Sequence, residues 1–290
     1  MSPTTIAYLQ IHFCVLLWGF TAILGKLITL PALQLTWWRM LLVCLALALV
    51  PRVWRDVASL PARLIGIYIA IGTLVALHWL TFYAAIKLSN ASVGATMMAL
   101  APVFLSIIEP RVARRAFDRR ELFLAIAAVP GMALVVGSVP ASMIAGVLLG
   151  ALSALFVAIF ASLNKRHVSA ASPLAITAIE MGAGVAILTV LAPILSPTQP
   201  FVLPEFQDAL WLSVLAFACT LLPFTLSLVA LKHLSAFSTQ LAINLEPVYT
   251  ILIALVLFAE HQDLNVSFYL GVALLVGAVM VQPRLKPRDT

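Results

Sequence analysis

Ten apolar runs, each of about 20 residues, fill this chain almost end to end, and each is long enough to cross roughly 30 Å of hydrocarbon as a helix. They fall at 6–28, 33–51, 64–86, 90–108, 122–139, 141–163, 173–195, 209–231, 235–258 and 266–283. Helix breakers separate them: Pro31, Pro61, Ser89 with Asn90, Pro140, Ser172 with Pro173, and the stretch from Ser196 to Pro200. Lipid offers no hydrogen-bond partner to an open strand edge, and the alternating polarity of barrel strands is absent. The expected fold is therefore an all-α integral membrane protein with ten transmembrane helices. The chain has 290 residues, 63% of them hydrophobic and 10% charged, so no sizeable soluble domain fits beside the spans. That composition excludes a disordered chain and argues against an ordinary soluble enzyme. The N-terminus has no basic leader segment and reads as a retained first span.

The chain carries 17 Lys and Arg against 11 Asp and Glu. This excess lies in the connections between apolar runs, so it reports membrane topology, not nucleic-acid binding. Arg52, Arg55, Arg63, Arg111, Arg114, Arg115, Arg119, Arg120, Lys165, Arg166, Lys232, Arg284, Lys286 and Arg288 all fall on one side of a ten-span topology. Only Lys26 and Lys87 fall on the other, and Arg39 lies within a span. The bias places both termini in the cytoplasm and supports the count of ten. Cys14, Cys44 and Cys219 sit inside apolar runs without a CxxC or a Cys/His cluster, which points to buried hydrophobes and to no metal site.

The two halves repeat. Ala85, Lys87, Ala91, Leu100, Pro102 and Val103 fall on Ala230, Lys232, Ala236, Leu245, Pro247 and Val248 at one constant shift. After a longer basic loop the shift shortens, and Gly131, Ala133, Leu134, Val136 and Gly137 fall on Gly271, Ala273, Leu274, Val276 and Gly277. The expected units are 1–139 and 140–290. Five spans per unit is an odd number, so the second enters the membrane from the opposite face, giving inverted repeats. Pro102 and Pro247 then both lie roughly 18 Å deep, near the midplane.

Trp18-Gly19, Arg39, Ala101-Pro102-Val103, Leu245-Glu246-Pro247-Val248, Glu260, Gly271 and Leu274 to Gly277, in that order on ten spans, resemble the drug/metabolite transporter superfamily in its EamA-type branch. The resemblance covers nearly the whole chain. It implies an inner-membrane (plasma-membrane) carrier of small metabolites, often an amino-acid exporter, with a cavity between two five-helix repeats. Within the branch the likeness is strongest to exporters of aromatic amino acids and paraquat. Two departures stand out. Ala259-Glu260 replaces the family's Gly-Glu after span 9, and the first repeat has Arg115-Ala116 there, with no acid.

Polar groups in mid-membrane are costly unless satisfied, so each is a functional candidate. In span 9, Thr239, Gln240, Asn244, Glu246, Pro247 and Thr250 share one arc about 160° wide. The corresponding arc of span 4 carries Gly94, Ala95, Ala99, Ala101, Pro102 and Leu105, mostly small. Either span 4 provides space and span 9 hydrogen bonds, or the small residues serve close packing. Glu246 is either a proton-coupling or substrate-ammonium site, or a local donor to the Ile243 carbonyl that Pro247 leaves free. Arg39, about 9 Å from the outer surface, either snorkels, pairs with an acid, or meets a substrate carboxylate. Glu180 is its repeat counterpart, near the opposite surface.

Trp37, Trp38, Trp54 and Trp211 fit interfacial belts. Trp18 lies mid-span. In span 3, His78 and Phe82 share one face and Trp79 with Tyr83 the next. Trp18, His78 and Phe82, in preference to Trp79, are expected at the cavity, with Phe156 and Phe160 on its inner half. The expected substrate-binding set is thus Trp18, His78, Phe82, Ala99, Phe160, Gln240 and Asn244. Glu246 and Arg39 are coupling or structural charges, and Pro102, Pro223 and Pro247 are bend points. No HExxH, GxSxG or Walker loop occurs, so neither an enzyme nor a cofactor is expected, and active transport would draw on gradients. Two functions fit: a secondary carrier exporting aromatic or other apolar amino acids by alternating access, with a proton as possible coupling ion, and a broad exporter of drugs and organic cations.

Overall fold

A computed structural model describes residues 1–114, 116–258 and 264–281. Arg115, Ala259, Glu260, Arg284, Lys286 and Arg288 lie outside the described residues. Regular structure among the described residues is helical throughout: α1 (Pro3–Trp18), α2 (Thr21–Leu27), α3 (Ala32–Ala48), α4 (Pro51–Ala58), α5 (Ala62–Leu88), α6 (Ala91–Met97), α7 (Ala101–Val112), α8 (Arg119–Ser138), α9 (Ile144–His167), α10 (Pro173–Leu195), α11 (Phe206–Ala216), α12 (Leu222–Leu231), α13 (Ala236–Ile243), α14 (Glu246–Phe258) and α15 (Val266–Val281). Among the described residues six segments are long and apolar enough to cross a membrane: Pro3–Leu27, Ala62–Leu88, Ala91–Val112, Ala141–His167, Pro173–Leu195 and Phe206–Leu231. Others, such as Glu246–Phe258, are shorter apolar helices.

Helix starts follow the breakers seen in the sequence. Asn90 caps α6 by accepting from the Val93 N–H at 2.8 Å. Ser172 and Ser235 cap α10 and α13 in the same way, each satisfying a donor that the first turn leaves free. Pro51 opens α4, a helix the hydropathy reading missed. The second apolar run was expected to reach 51, but α3 stops at Ala48 and α4 turns away by 93°. Trp54 rides on α4 and is largely exposed.

The prolines interrupt the remaining segments. A 3₁₀ turn at Met98–Leu100 joins α6 to α7 just before Pro102, and a π turn at Phe217–Leu221 joins α11 to α12 just before Pro223. α13 and α14 meet at Asn244 and Leu245, ahead of Pro247. Proline lacks an N–H and clashes with the preceding turn, so each helix must adjust there. The freed geometry is partly recovered by tighter bonds, such as the Leu245 N–H to the Ala242 carbonyl at 3.2 Å.

Helix α5 packs along both α9 and α10, and α8 lies along α15. The contact with α10 depends on Gly72. A Cβ there would come 2.3 Å from the Glu180 carbonyl oxygen, so only glycine lets the two backbones meet. Near the helix ends, Trp37 donates to Thr189 and Trp38 to the Val202 carbonyl, each at 2.8 Å.

Candidate functional site

A cavity runs through the centre of the bundle. Its lining comes from α1 and α2 (Trp18, Thr21), α3 (Arg39), α5 (His78, Trp79, Phe82), α9 (Val157, Phe160, Ala161, Asn164), α12 (Phe224, Ser227, Leu228, Leu231) and the α13–α14 pair (Ala236, Thr239, Gln240, Ile243, Glu246), with Met98 between α6 and α7. Open solvent at its mouth included, the space is about 920 Å³.

Arg39 anchors one wall. It is 1% exposed, so it does not snorkel to the surface. Its Nε donates to Thr220 Oγ1 at 2.5 Å, Nη1 to the Tyr83 hydroxyl at 2.6 Å and Nη2 to the Cys219 carbonyl at 3.3 Å. Its carbon centre lies 3.8 Å from the centroid of Trp79, a cation–π stack. Both Thr220 and Cys219 belong to the π turn, whose irregular pitch puts a hydroxyl and a carbonyl within reach of one guanidinium. Arginine keeps its charge. Three of its five N–H groups are used in these bonds, leaving one each on Nη1 and Nη2.

His78 carries the aromatic side. Ser153 Oγ donates to the His78 carbonyl at 2.8 Å, and His78 Nδ1 lies 2.7 Å from the same Oγ. The serine has one hydrogen, already committed, so Nδ1 must be the donor. In the neutral ring this leaves Nε2 as the acceptor. His78 lies 6.1 Å from Phe82 and 5.6 Å from Phe160 between ring centroids. Trp79 meets Phe224 at 6.0 Å. Both faces of α5 therefore reach the cavity, and the preference for His78 and Phe82 over Trp79 is corrected. Lipid is as apolar as a packed core, so hydropathy does not distinguish the two faces.

Glu246 lies opposite in chemical character. Thr21 Oγ1 stands 3.4 Å from its Oε1 and donates to the Trp18 carbonyl at 2.7 Å. Glu246 thus faces the Thr21 hydroxyl of α2 and not its own Ile243 carbonyl. Thr250 donates to the Gly19 carbonyl at 2.9 Å, so the break between α1 and α2 is tied to α14.

Trp18, His78, Phe82, Phe160, Gln240, Glu246 and Arg39 are brought together. Ala99 and Asn244 are not. Ala99 is buried in the 3₁₀ turn, where Met98 takes its place on the cavity wall. Asn244 is 1% exposed, and neither end of its amide has a hydrogen-bond partner. Phe156 also lies off the lining. The reading missed Thr21 and Asn164. Thr21 is three residues from Trp18 and Asn164 four from Phe160, so helical spacing could have found both.

The lining reaches Asn164, Leu231 and Ala236, at the end where the basic connections gather. There Glu109 accepts from the backbone N–H groups of Ala236 and Phe237 at 2.9 and 2.8 Å, capping α13. The other end is tied together. Asp208 accepts from the Thr29 N–H at 2.9 Å and from its hydroxyl at 2.7 Å. Lys87 donates to the Ile28 carbonyl, and Lys26 sits 4.5 Å over the Phe258 ring.

An all-helical bundle with several membrane-length apolar helices around a cavity lined by both polar and aromatic side chains is an arrangement suited to a multi-pass membrane transporter for small molecules. The profile of the EamA-like transporter family matches the chain twice, over 5–137 and 144–282. The chain belongs to that family. A solved structure, described only as the crystal structure of a protein, is similar to it with a TM-score of 0.70 at 18% identity, covering 98% of this chain and 99% of that one. At that identity the likeness is one of fold. Comparison with curated proteins gives no significant match.

Proposed function

We propose that this chain is a secondary carrier that exports aromatic or other apolar amino acids by alternating access. In this reading ten helical segments cross the inner membrane as two inverted repeats, 1–139 and 140–290, with both termini in the cytoplasm. The charge bias supports that orientation. A cavity that reaches the basic end and is tied at the other then corresponds to the cytoplasm-facing state, and Pro102, Pro223 and Pro247 are the bend points.

One observation carries the substrate class: the cavity holds a fixed cation and an acid among aromatic rings. Arg39 offers two N–H groups to a carboxylate. Glu246, Gln240 and His78 Nε2 offer acceptors to an ammonium. Trp18, Phe82, Phe160 and Phe224 offer apolar faces to a side chain. A zwitterion with an aromatic side chain fits this division. The paraquat-like alternative draws on Glu246 and the aromatics alone, and a dication would have to approach the charge of Arg39. The test is uptake of labelled phenylalanine and tryptophan by vesicles containing the purified protein. Saturable uptake that unlabelled tryptophan inhibits supports the reading. Flux of paraquat without flux of any amino acid overturns it.

A further inference from the structure

We infer that Glu180 and Asn164 form a proton-binding site that adjoins the cavity. Glu180 on α10 is 0% exposed and Asn164 on α9 is 2% exposed. Asn164 Nδ2 donates to Glu180 Oε2 at 3.4 Å. The second atom of each group, Asn164 Oδ1 and Glu180 Oε1, has no hydrogen-bond partner. Two bare acceptors on one buried acid–amide pair are both satisfied by a single hydrogen. A proton on Oε1 donates to Oδ1 and closes a two-bond ring between the carboxylic acid and the amide. Exchanging the amide nitrogen and oxygen does not remove the need, because two acceptors would then face each other across the same 3.4 Å. An ionised Glu180 would be a buried charge holding one long hydrogen bond, a poor exchange for its hydration.

Among the described residues no neighbour supplies a countercharge; on α9, Lys165 beside Asn164 donates to the Leu231 carbonyl at 2.8 Å. On α5, Tyr68 donates to the His167 carbonyl at 2.9 Å and His78 is engaged with Ser153. On α3, Cys44 lies against Gly182, and Arg39, the repeat counterpart of Glu180, is committed to Thr220, Tyr83 and Cys219. On α4, Asp56 accepts from Ser172, two turns from Glu180. Helix α12 has no ionisable residue; Thr225 comes within 3.3 Å of Thr177. The backbone of Glu180 is clamped on Gly72, so the acid cannot withdraw by moving its helix.

Asn164 gives the site its route. Its residue lines the cavity, so rotation of the amide opens the ring and exposes the acid to the transport path. With the ring open, Glu180 releases its proton to cavity water in one state of the carrier and takes one up from cavity water in the other, before the ring closes again. This rests on the transporter reading and names its coupling ion as a proton, carried by Glu180.

The test combines infrared difference spectroscopy of the purified protein with vesicle transport. A carboxylic-acid C=O band is expected at neutral pH. It disappears in Glu180→Gln, shifts in Asn164→Ala and titrates reversibly in alkaline buffer. Glutamine closes the ring permanently, so Glu180→Gln keeps amino-acid exchange, while accumulation driven by a pH gradient falls about tenfold or more. Absence of the band, a band that does not titrate, or unchanged gradient-driven accumulation overturns the proposal. If the wild-type protein moves no amino acid, the proposed substrate fails while the infrared titration still decides the proton site. If Glu180→Gln does not fold, the Asn164→Ala shift assigns the band.

Discussion

Gly271 rests on Gly131: a Cβ at Gly271 would lie 2.7 Å from the carbonyl oxygen of Gly131. The two glycines are each other's counterparts in the sequence repeat. Residues related by a twofold axis touch each other only close to that axis, so the contact between α8 and α15 fits the paired-repeat proposal. The contact is backbone against backbone, and any side chain would force the helices apart.

Gly271→Leu should therefore destabilise the protein by about 1–3 kcal/mol, the range for overpacking a tight contact. Gly277→Ala is the control, since nothing lies within 4 Å of its added Cβ. Thermal unfolding in detergent should show a lower midpoint for the first and none for the second.

Arg39→Lys keeps the charge but loses the Trp79 stack and the fork that reaches Thr220, Tyr83 and Cys219 together. Amino-acid transport should weaken by about 10- to 100-fold in kcat/KM. Inhibition of uptake by an arylalkylamine without a carboxylate should change much less. Equal losses for both ligands would remove Arg39 from carboxylate recognition.

Glu109 caps α13 at the cavity's basic end. Glu109→Ala leaves two backbone donors unsatisfied in a buried place, and a loss of about 1–3 kcal/mol is expected. Hydrogen exchange should show the first turn of α13 opening before the rest of the helix.

Asp208 ties the opposite end to Thr29. In a background with Cys14, Cys44 and Cys219 replaced by alanine, Thr21→Cys should react slowly with an impermeant thiol reagent added on the Asp208 side. Adding Asp208→Ala should raise that rate several-fold, by shifting the population toward a state open at that end. An unchanged rate would mean that this contact does not hold the end closed.

Apolar runs, breakers and charge bias made the helix order legible from the sequence. Pro102, Pro223 and Pro247 also marked the irregular turns, because a missing N–H has local consequences. Finer placement was less legible. Ala99 was assigned by counting 100° per residue, but the 3₁₀ turn at Met98–Leu100 advances faster and brings Met98 round instead. Asn244, the C-cap of α13, still bonds its N–H to the Gln240 carbonyl at 3.0 Å, but its side chain is buried off the cavity lining, which a helical count alone does not reveal. Snorkelling, an acid partner and a substrate carboxylate all stayed open for Arg39, because its partners come from the π turn of another segment, a distant pairing that local spacing does not encode. Trp79 was passed over because both faces of α5 are apolar. Helix α4 was lost in a hydropathy window, although Pro51 at its first position and the polar Arg52, Arg55 and Asp56 mark a separate amphipathic helix.

The central claim is that two units of opposite orientation enclose the cavity. Single cysteines at Lys87 and Lys232, counterparts in the repeat and both exposed, test it in sealed vesicles of known orientation. An impermeant maleimide is expected to label Lys87→Cys from the periplasmic side only and Lys232→Cys from the cytoplasmic side only. Labelling of both from one side would contradict the inverted architecture and the transport path built on it.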